Sequence, residues 1–287
     1  MTSFDTTGAV ELIVDTILRS DVHIAAVDGA EATVDIRPRN PERALDVKAV
    51  QIAEVDLLDG VLRVRLRPQR RYSWFTDGGA VDIDIRVPIG SRLHIETGMG
   101  AIVADGEFGA AWLRTGMGDL RVDQVASLVA KSGMGDVTLS GSDGDVAVTT
   151  GGGLVRLASV SGALEVRNSN GSTEVGLVEG PAQLRSSNGS IEVGTAGGDV
   201  TAKSANGSVR IGEVSRGAIS ASTSTGAIDI GVKPGTAAWL QLDTKQGRII
   251  NALDAGEGPA ASGDTVELRA RSSHSDVTIH RSTEGAS

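Results

Sequence analysis

The chain has 287 residues, no cysteine and a formal net charge of −10. This excludes disulfides, thiolate metal sites and cysteine nucleophiles, and it argues against nucleic-acid binding, which needs basic surface to neutralise phosphates. Only 2% of residues are aromatic while 38 are glycine, so Val, Ile, Leu and Ala must form the core in thin layers, which suits stacked sheets better than packed helices.

The opening segment, MTSFDTTGAVELIVDT, lacks a basic region followed by an apolar core, so it does not read as a secretory signal. No apolar run approaches the ~20 residues of a membrane-spanning helix. The expected location is the cytoplasm, either free or peripheral to the membrane. Ser20–Ile24 and Val34–Arg37 alternate apolar and polar residues and read as a degenerate first coil. Residues 41–51 carry mixed charge and no glycine, which predicts a short helix. Gly60–Val64 and Ile83–Arg86 read as two half-coils.

Between those half-coils lies Arg67-Pro-Gln-Arg-Arg-Tyr-Ser-Trp-Phe75. Arg70, Arg71, Tyr72, Trp74 and Phe75 are of the types that anchor interfaces, so this segment is a candidate docking loop. The competing reading is a cap, with the aromatics tucked against the edge of a sheet.

From Thr97 onward the sequence falls into register with itself every 18 or so residues, as in TGMGDLRVDQVASLVAK, NSNGSTEVGLVEGPAQLR and SSNGSIEVGTAGGDVTAK. The fourth position is always glycine, from Gly100 and Gly118 to Gly207 and Gly226, and most coils carry a second glycine about nine residues later. Strict alternation follows each one, as at Val137–Leu139 and Ile191–Val193, which places one apolar set on the inner face of a short strand. Both glycine sets are expected at turns of positive φ, with Asn170, Asn188 and Asn206 favouring the same geometry. A meander of hairpins would not need the same residue class at every eighteenth position, whereas parallel stacking does. The predicted fold is therefore an all-β parallel solenoid of two-strand coils. Gly247–Ile250, Val266–Arg269 and Asp276–Ile279 add a ninth coil and part of a tenth. Residues 1–96 form an irregular N-terminal cap with the helix and a loop at 67–80, residues 97–280 the regular solenoid, and 281–287 a polar tail.

Two ladders follow from the register. Met99, Met117 and Met134 share one turn position, forming a soft apolar patch if exposed or a packing ladder if buried. Arg114, Lys131, Arg167, Arg185 and Lys203 share the last position of their coils and predict a positive stripe on an acidic body. Such a stripe suits an acidic partner or an anionic surface, while nearby Glu165, Glu174 and Glu192 favour a solvated ladder.

Catalytic and cofactor motifs are not apparent. Thr97-Gly-Met-Gly100 has neither the helix nor the Gly-Lys-Ser/Thr of a phosphate loop. Asp119, Asp136, Asp145 and Asp199 follow glycine directly, unlike the spacing of calcium-binding nonapeptide solenoids. His23, His94, His274 and His280 lack metal-ligand spacing. No metal or cofactor is therefore expected.

Taken together, SFDTTGAVELIVDT, the TGMGD, NSNGS and SANGSVRIGEVSRGAI coils and DTVELRARSSHSDVTIHRS resemble the putative-adhesin β-strand-repeat family of bacteria, also called toast-rack domains. The resemblance runs over nearly the whole chain. It implies a β-solenoid without assigned catalytic or binding residues, adhesin-like and linked to envelope stress or homeostasis. The expected function is thus a non-catalytic interaction scaffold, with an envelope-associated protein or an anionic surface as partner. A carbohydrate-active or carbohydrate-binding β-helix is the first alternative. Self-assembly through the coil ends into a homo-oligomer is the second.

Overall fold

The computed structural model describes residues 1–66, 79–253 and 264–282. The loop residues Arg70, Arg71, Tyr72, Trp74 and Phe75 lie outside the described residues. The chain divides into two compact units, Met1–Gly141 and Ser142–Ser287, and each is a β-solenoid of mostly parallel strands.

The first unit contains β1 (Thr2–Asp5), β2 (Glu11–Val27), β3 (Glu31–Pro38), α1 (Ala44–Gln51), β4 (Glu54–Leu58), β5 (Val61–Leu66), β6 (Ala80–Pro88), β7 (Arg92–Met99), β8 (Ile102–Met117), β9 (Leu120–Met134) and β10 (Val137–Ser142). The long strand β2 serves two sheets in turn. Its first half pairs in parallel with β5 and β7, through Leu12↔Leu62 and Leu12↔Leu93. Its second half pairs with β6 and β8, through Ile24↔Ile85 and Ile24↔Ala104. The first coil in the chain therefore lies between two coils that follow it. Strand β8 divides its pairing in the same way, its second half matching β7 and its whole length β9.

Antiparallel strands flank the edge coil β5/β6: β4 lies against β5 and β3 against β6, with β1 beyond β3. Beneath them Leu62, Val64, Leu66, Val81, Ile83 and Ile85 are buried. The helix expected in residues 41–51 is present as α1. Its buried Asp46 accepts hydrogen bonds from the backbone N–H of Ala80 (2.9 Å) and Asn40 (3.1 Å), which pins the helix to the start of β6. Val34–Arg37 corrects the expectation made for it. It belongs to the antiparallel strand β3 and is not half of a parallel coil, because alternation marks a buried face without marking strand direction.

The second unit continues with β11 (Val146–Thr150), β12 (Val155–Val160), β13 (Leu164–Asn170), β14 (Thr173–Val178), β15 (Ala182–Asn188), β16 (Ile191–Ala196), β17 (Val200–Asn206), β18 (Val209–Val214), β19 (Gly217–Thr225), β20 (Ile228–Val232), β21 (Ala237–Thr244), β22 (Ile249–Asn251), β23 (Thr265–Ser272) and β24 (Val277–Arg281). One sheet runs β11-β13-β15-β17-β19-β23-β21 and the other β12-β14-β16-β18-β20-β24-β22, all parallel. Columns such as Val166↔Leu184↔Ala202↔Ala221 stack inward and are buried. Here too the chain order breaks at the edge: the last coil, β23/β24, sits between β19/β20 and β21/β22.

The leading glycines have a double cause. Gly171 has φ +137°, and a Cβ there would stand 2.1 Å from the carbonyl oxygen of Gly153, one coil earlier. Positive φ and close stacking both demand glycine. For the second set the expectation of positive φ fails at Gly162 and Gly180. A Cβ at Gly180 would instead meet the carbonyl oxygen of Gly162 at 2.3 Å, so contact between successive coils accounts for it. The asparagines also do different work from that expected. Asn188 Nδ2 donates to Asn170 Oδ1 (2.9 Å) and Asn206 Nδ2 to Asn188 Oδ1 (3.0 Å), an amide ladder up the corner of the solenoid.

Candidate functional site: a basic, hydroxyl-bordered groove

In the second unit, register places Arg167, Arg185 and Lys203 directly above one another on the outer face of β13, β15 and β17. Neighbouring strands stand about 4.8 Å apart, so three cations are brought within two strand spacings. Alternation fixes their direction, since Val166, Leu184 and Ala202 beside them point inward and are buried. Arg167 is paired with Glu165 at 2.6 Å. No described carboxylate lies within ion-pair distance of Arg185 or Lys203; Lys203 faces Ser222 across the strands, and Glu165, the partner of Arg167, stands diagonal to Arg185. Together with Thr149, Ser169, Ser187 and Ser224 the three cations line a shallow groove. Such a positive, hydroxyl-rich groove offers hydrogen-bond donors and charge of the kind that anionic oxygens accept.

The floor beside this groove explains how the side chains are held. Repeats open on a small polar residue that turns inward, and in several of them it donates to the carbonyl of a leading glycine. Ser204 Oγ reaches Gly189 O at 3.0 Å, Thr223 Oγ1 reaches Gly207 O at 2.9 Å, and Ser272 Oγ reaches Gly226 O at 3.2 Å. Asn168 is longer, and its Nδ2 reaches both Gly153 O and Gly171 O at 3.0 Å. Gly171 O is the acceptor that the pattern assigns to Ser186, and Ser186 Oγ is left buried without a partner. This polar row was not recognised from the sequence, although Thr97, Thr115, Ser132, Thr150, Asn168, Ser186 and Ser204 recur there in plain view.

The first unit carries the other members of the two ladders. Arg114 and Lys131 are in register on β8 and β9, and Arg114 is paired with Glu96 at 3.4 Å. Met117 and Met134 are also in register, and they are 48% and 60% exposed, which settles the choice between patch and packing ladder for those two. Met99 is less exposed, and its sulfur accepts from Arg19 Nε and Nη2 at 3.4 Å. His94 and Trp112 stack nearby at 4.3 Å between ring centroids.

The histidines do not converge on one another. His23 Nε2 lies 2.8 Å from Asp105 on the first unit. On the second, His280 Nε2 faces Asp229 Oδ1 at 3.0 Å and Nδ1 faces the carbonyl of Arg281 at 2.7 Å. Those acceptors, the carbonyl first and then the Asp229 carboxylate, raise the imidazole above its ordinary value of 6.5 against the opposing effect of burial. Among the described residues, no group of three or more His, Asp or Glu side chains gathers as metal ligands would, and no helix is long and apolar enough to cross a membrane.

No family model matches the sequence, and neither does any curated protein. Among solved structures, the chain is similar to a "putative adhesin" from Bacteroides fragilis, at 10% identity over 97% of this chain and 95% of that one, with TM-score 0.34. It is also similar to a "putative lipid binding protein" from Parabacteroides distasonis, at 12% identity over 96% and 95%, with TM-score 0.31. A "putative adhesin" from Parabacteroides merdae gives 11% identity over 97% and 95%, with TM-score 0.32. At such scores the likeness carries neither fold nor function to this chain; its solenoid is established by its own strand register.

Proposed function

We propose that this protein is a non-catalytic, adhesin-like binding scaffold whose second unit docks an anionic surface through the groove of Arg167, Arg185 and Lys203. One observation carries the reading: Arg185 and Lys203 are stacked, exposed and unpaired with any described carboxylate, in a chain whose net charge is −10. Some cations of this acidic body are met by carboxylates, as Arg156 is by Glu174 and Arg271 by Asp243, whereas Arg185 and Lys203 stand adjacent and in register without such a partner among the described residues. Leaving two adjacent cations free keeps their charge available to a ligand. The envelope setting implied by the sequence resemblance is consistent with such a surface, and anionic lipid headgroups on the cytoplasmic side are the form we test.

Co-sedimentation with vesicles of phosphatidylglycerol in phosphatidylcholine, against phosphatidylcholine alone, reads this directly. The protein should bind the anionic vesicles alone and lose binding as salt rises. Each basic side chain near such a surface is worth about 1 kcal/mol, so Arg185→Ala with Lys203→Ala should weaken binding roughly tenfold or more. Equal binding by the double variant, or no anion-dependent binding by either protein, overturns the proposal.

A further inference from the structure

The edge coil β21/β22 of the second unit is built differently from every coil beneath it. Strand β21 pairs with β23 on one side, and among the described residues no strand lies along its other side. Its core row is also only partly covered. Ile249 is in register with Val277, yet Val277 is 0% exposed and Ile249 48%. Leu240 and Leu242, in register with the buried Leu268 and Ala270, are partly exposed. Trp239, on the outer face, is 59% exposed.

The direction of the free backbone groups can be assigned. Ala237 N–H donates to Asp264 O, just before β23. Backbone direction alternates along a strand, so the odd residues face β23 while Ala238, Leu240, Leu242 and Thr244 present their N–H and C=O groups to the open edge.

We infer that this open edge pairs with the same edge of a second copy, β21 antiparallel to β21 about a two-fold axis at Gln241. In that register Leu240 stands opposite Leu242 of the other copy, twice over, and Ala238 opposite Thr244. The residues that meet are those whose backbone groups face outward, so hydrogen bonds and core closure are achieved together. Gln241 meets itself at the axis. Charge does not oppose this contact: residues 237–251 hold one acid, Asp243, against Lys245 and Arg248, while the chain as a whole is at −10. Two copies meeting here bring no excess of acidic charge together. The match is self-complementary, so the assembly closes as a dimer. Growth into a filament would need an edge to accept β21, and the outer strands of the first unit, β1 and β4, are short and carry Asp5, Glu54 and Asp56.

Sedimentation equilibrium of the whole protein over a wide concentration range tests the assembly, and cysteine cross-linking tests its register. The natural chain has no cysteine, so Gln241→Cys supplies a single thiol on an outward-facing position that leaves the core intact. Opposed residues of a non-hydrogen-bonded antiparallel pair have Cα atoms about 4.5 Å apart, within disulfide reach. We expect a concentration-dependent dimer, rapid disulfide formation by Gln241→Cys, and little by Ser3→Cys on β1. Leu240→Lys, which copies the inward charge that protects natural edges, should yield monomer. A protein that is monomeric throughout overturns the inference. So does a dimer that survives Leu240→Lys, or one in which Gln241→Cys links no faster than Ser3→Cys.

Discussion

The edge coils of the two units solve the same problem in opposite ways. A solenoid core is a column of apolar layers, and each terminal layer must be covered or left exposed. In the first unit β5/β6 is flanked by β3 and β4, both antiparallel, and braced by α1, so its inward residues are as buried as any in the interior. In the second unit β21/β22 has no such flank among the described residues, and its inward residues are partly exposed. Identical inward positions therefore differ in energetic weight according to what covers them. Coil membership alone does not make a residue core.

The largest effect should come from the covered coil. Leu62→Ala removes a fully buried side chain and should cost about 2–5 kcal/mol, read as a lower midpoint in urea unfolding. Next comes the brace itself. Asp46→Ala leaves the N–H groups of Ala80 and Asn40 without their carboxylate and should cost about 1.5–3 kcal/mol, with proteolytic nicking of the first unit gained before the second is affected. A result near zero for either would mean that β3, β4 and α1 do not close the core.

A third prediction probes the junction between the inserted coil and its neighbour in the second unit. The folded pKa of His280 is raised, so its contribution is full below the unfolded value of about 6.5 and lost as pH climbs through the folded one. Thermal melts should therefore show stability falling as pH rises from about 6 to 8. His280→Gln should flatten that dependence, and an unchanged slope would remove His280 from the account. The smallest effect is expected at the open coil: in dilute monomer Leu242→Ala should cost only about 1 kcal/mol, since part of its side chain is already hydrated. A loss as large as that of Leu62→Ala would show the edge to be covered and would erase the contrast between the two coils.

The regular part of the fold was legible because parallel stacking imposes like residues at like positions. The 18-residue offsets Leu164↔Ala182↔Val200 and the stacked Arg167, Arg185 and Lys203 can be seen in the letters. Helix α1 was legible from its mixed charge and lack of glycine. The order of coils at the edges was not. Val34–Arg37 and Ile83–Arg86 alternate alike, yet one is an antiparallel flank and the other half of a parallel coil. Alternation reports which face is buried and is silent on the neighbour. At Gly162 and Gly180 the second glycine set was located correctly for the wrong physical reason, whereas Gly235 does take positive φ, because absence of a Cβ can serve either φ or a passing carbonyl. The unpartnered hydroxyl of Ser186 was invisible for a different cause: it depends on Asn168 one coil earlier taking its acceptor.

The insertion of β2 and of β23/β24 between coils that are not their sequence neighbours has a consequence in time. A solenoid stacked in chain order can zip forward one coil after another, each new turn docking on the last. Here β2 emerges first and gains its partners β5, β6 and β7 only after the intervening segment has been made. Strand β21 likewise finds its partner only when β23, which must also reach β19, has followed it. Both edges wait on long loop closures, so folding of this chain should slow at its margins while its middle coils form quickly.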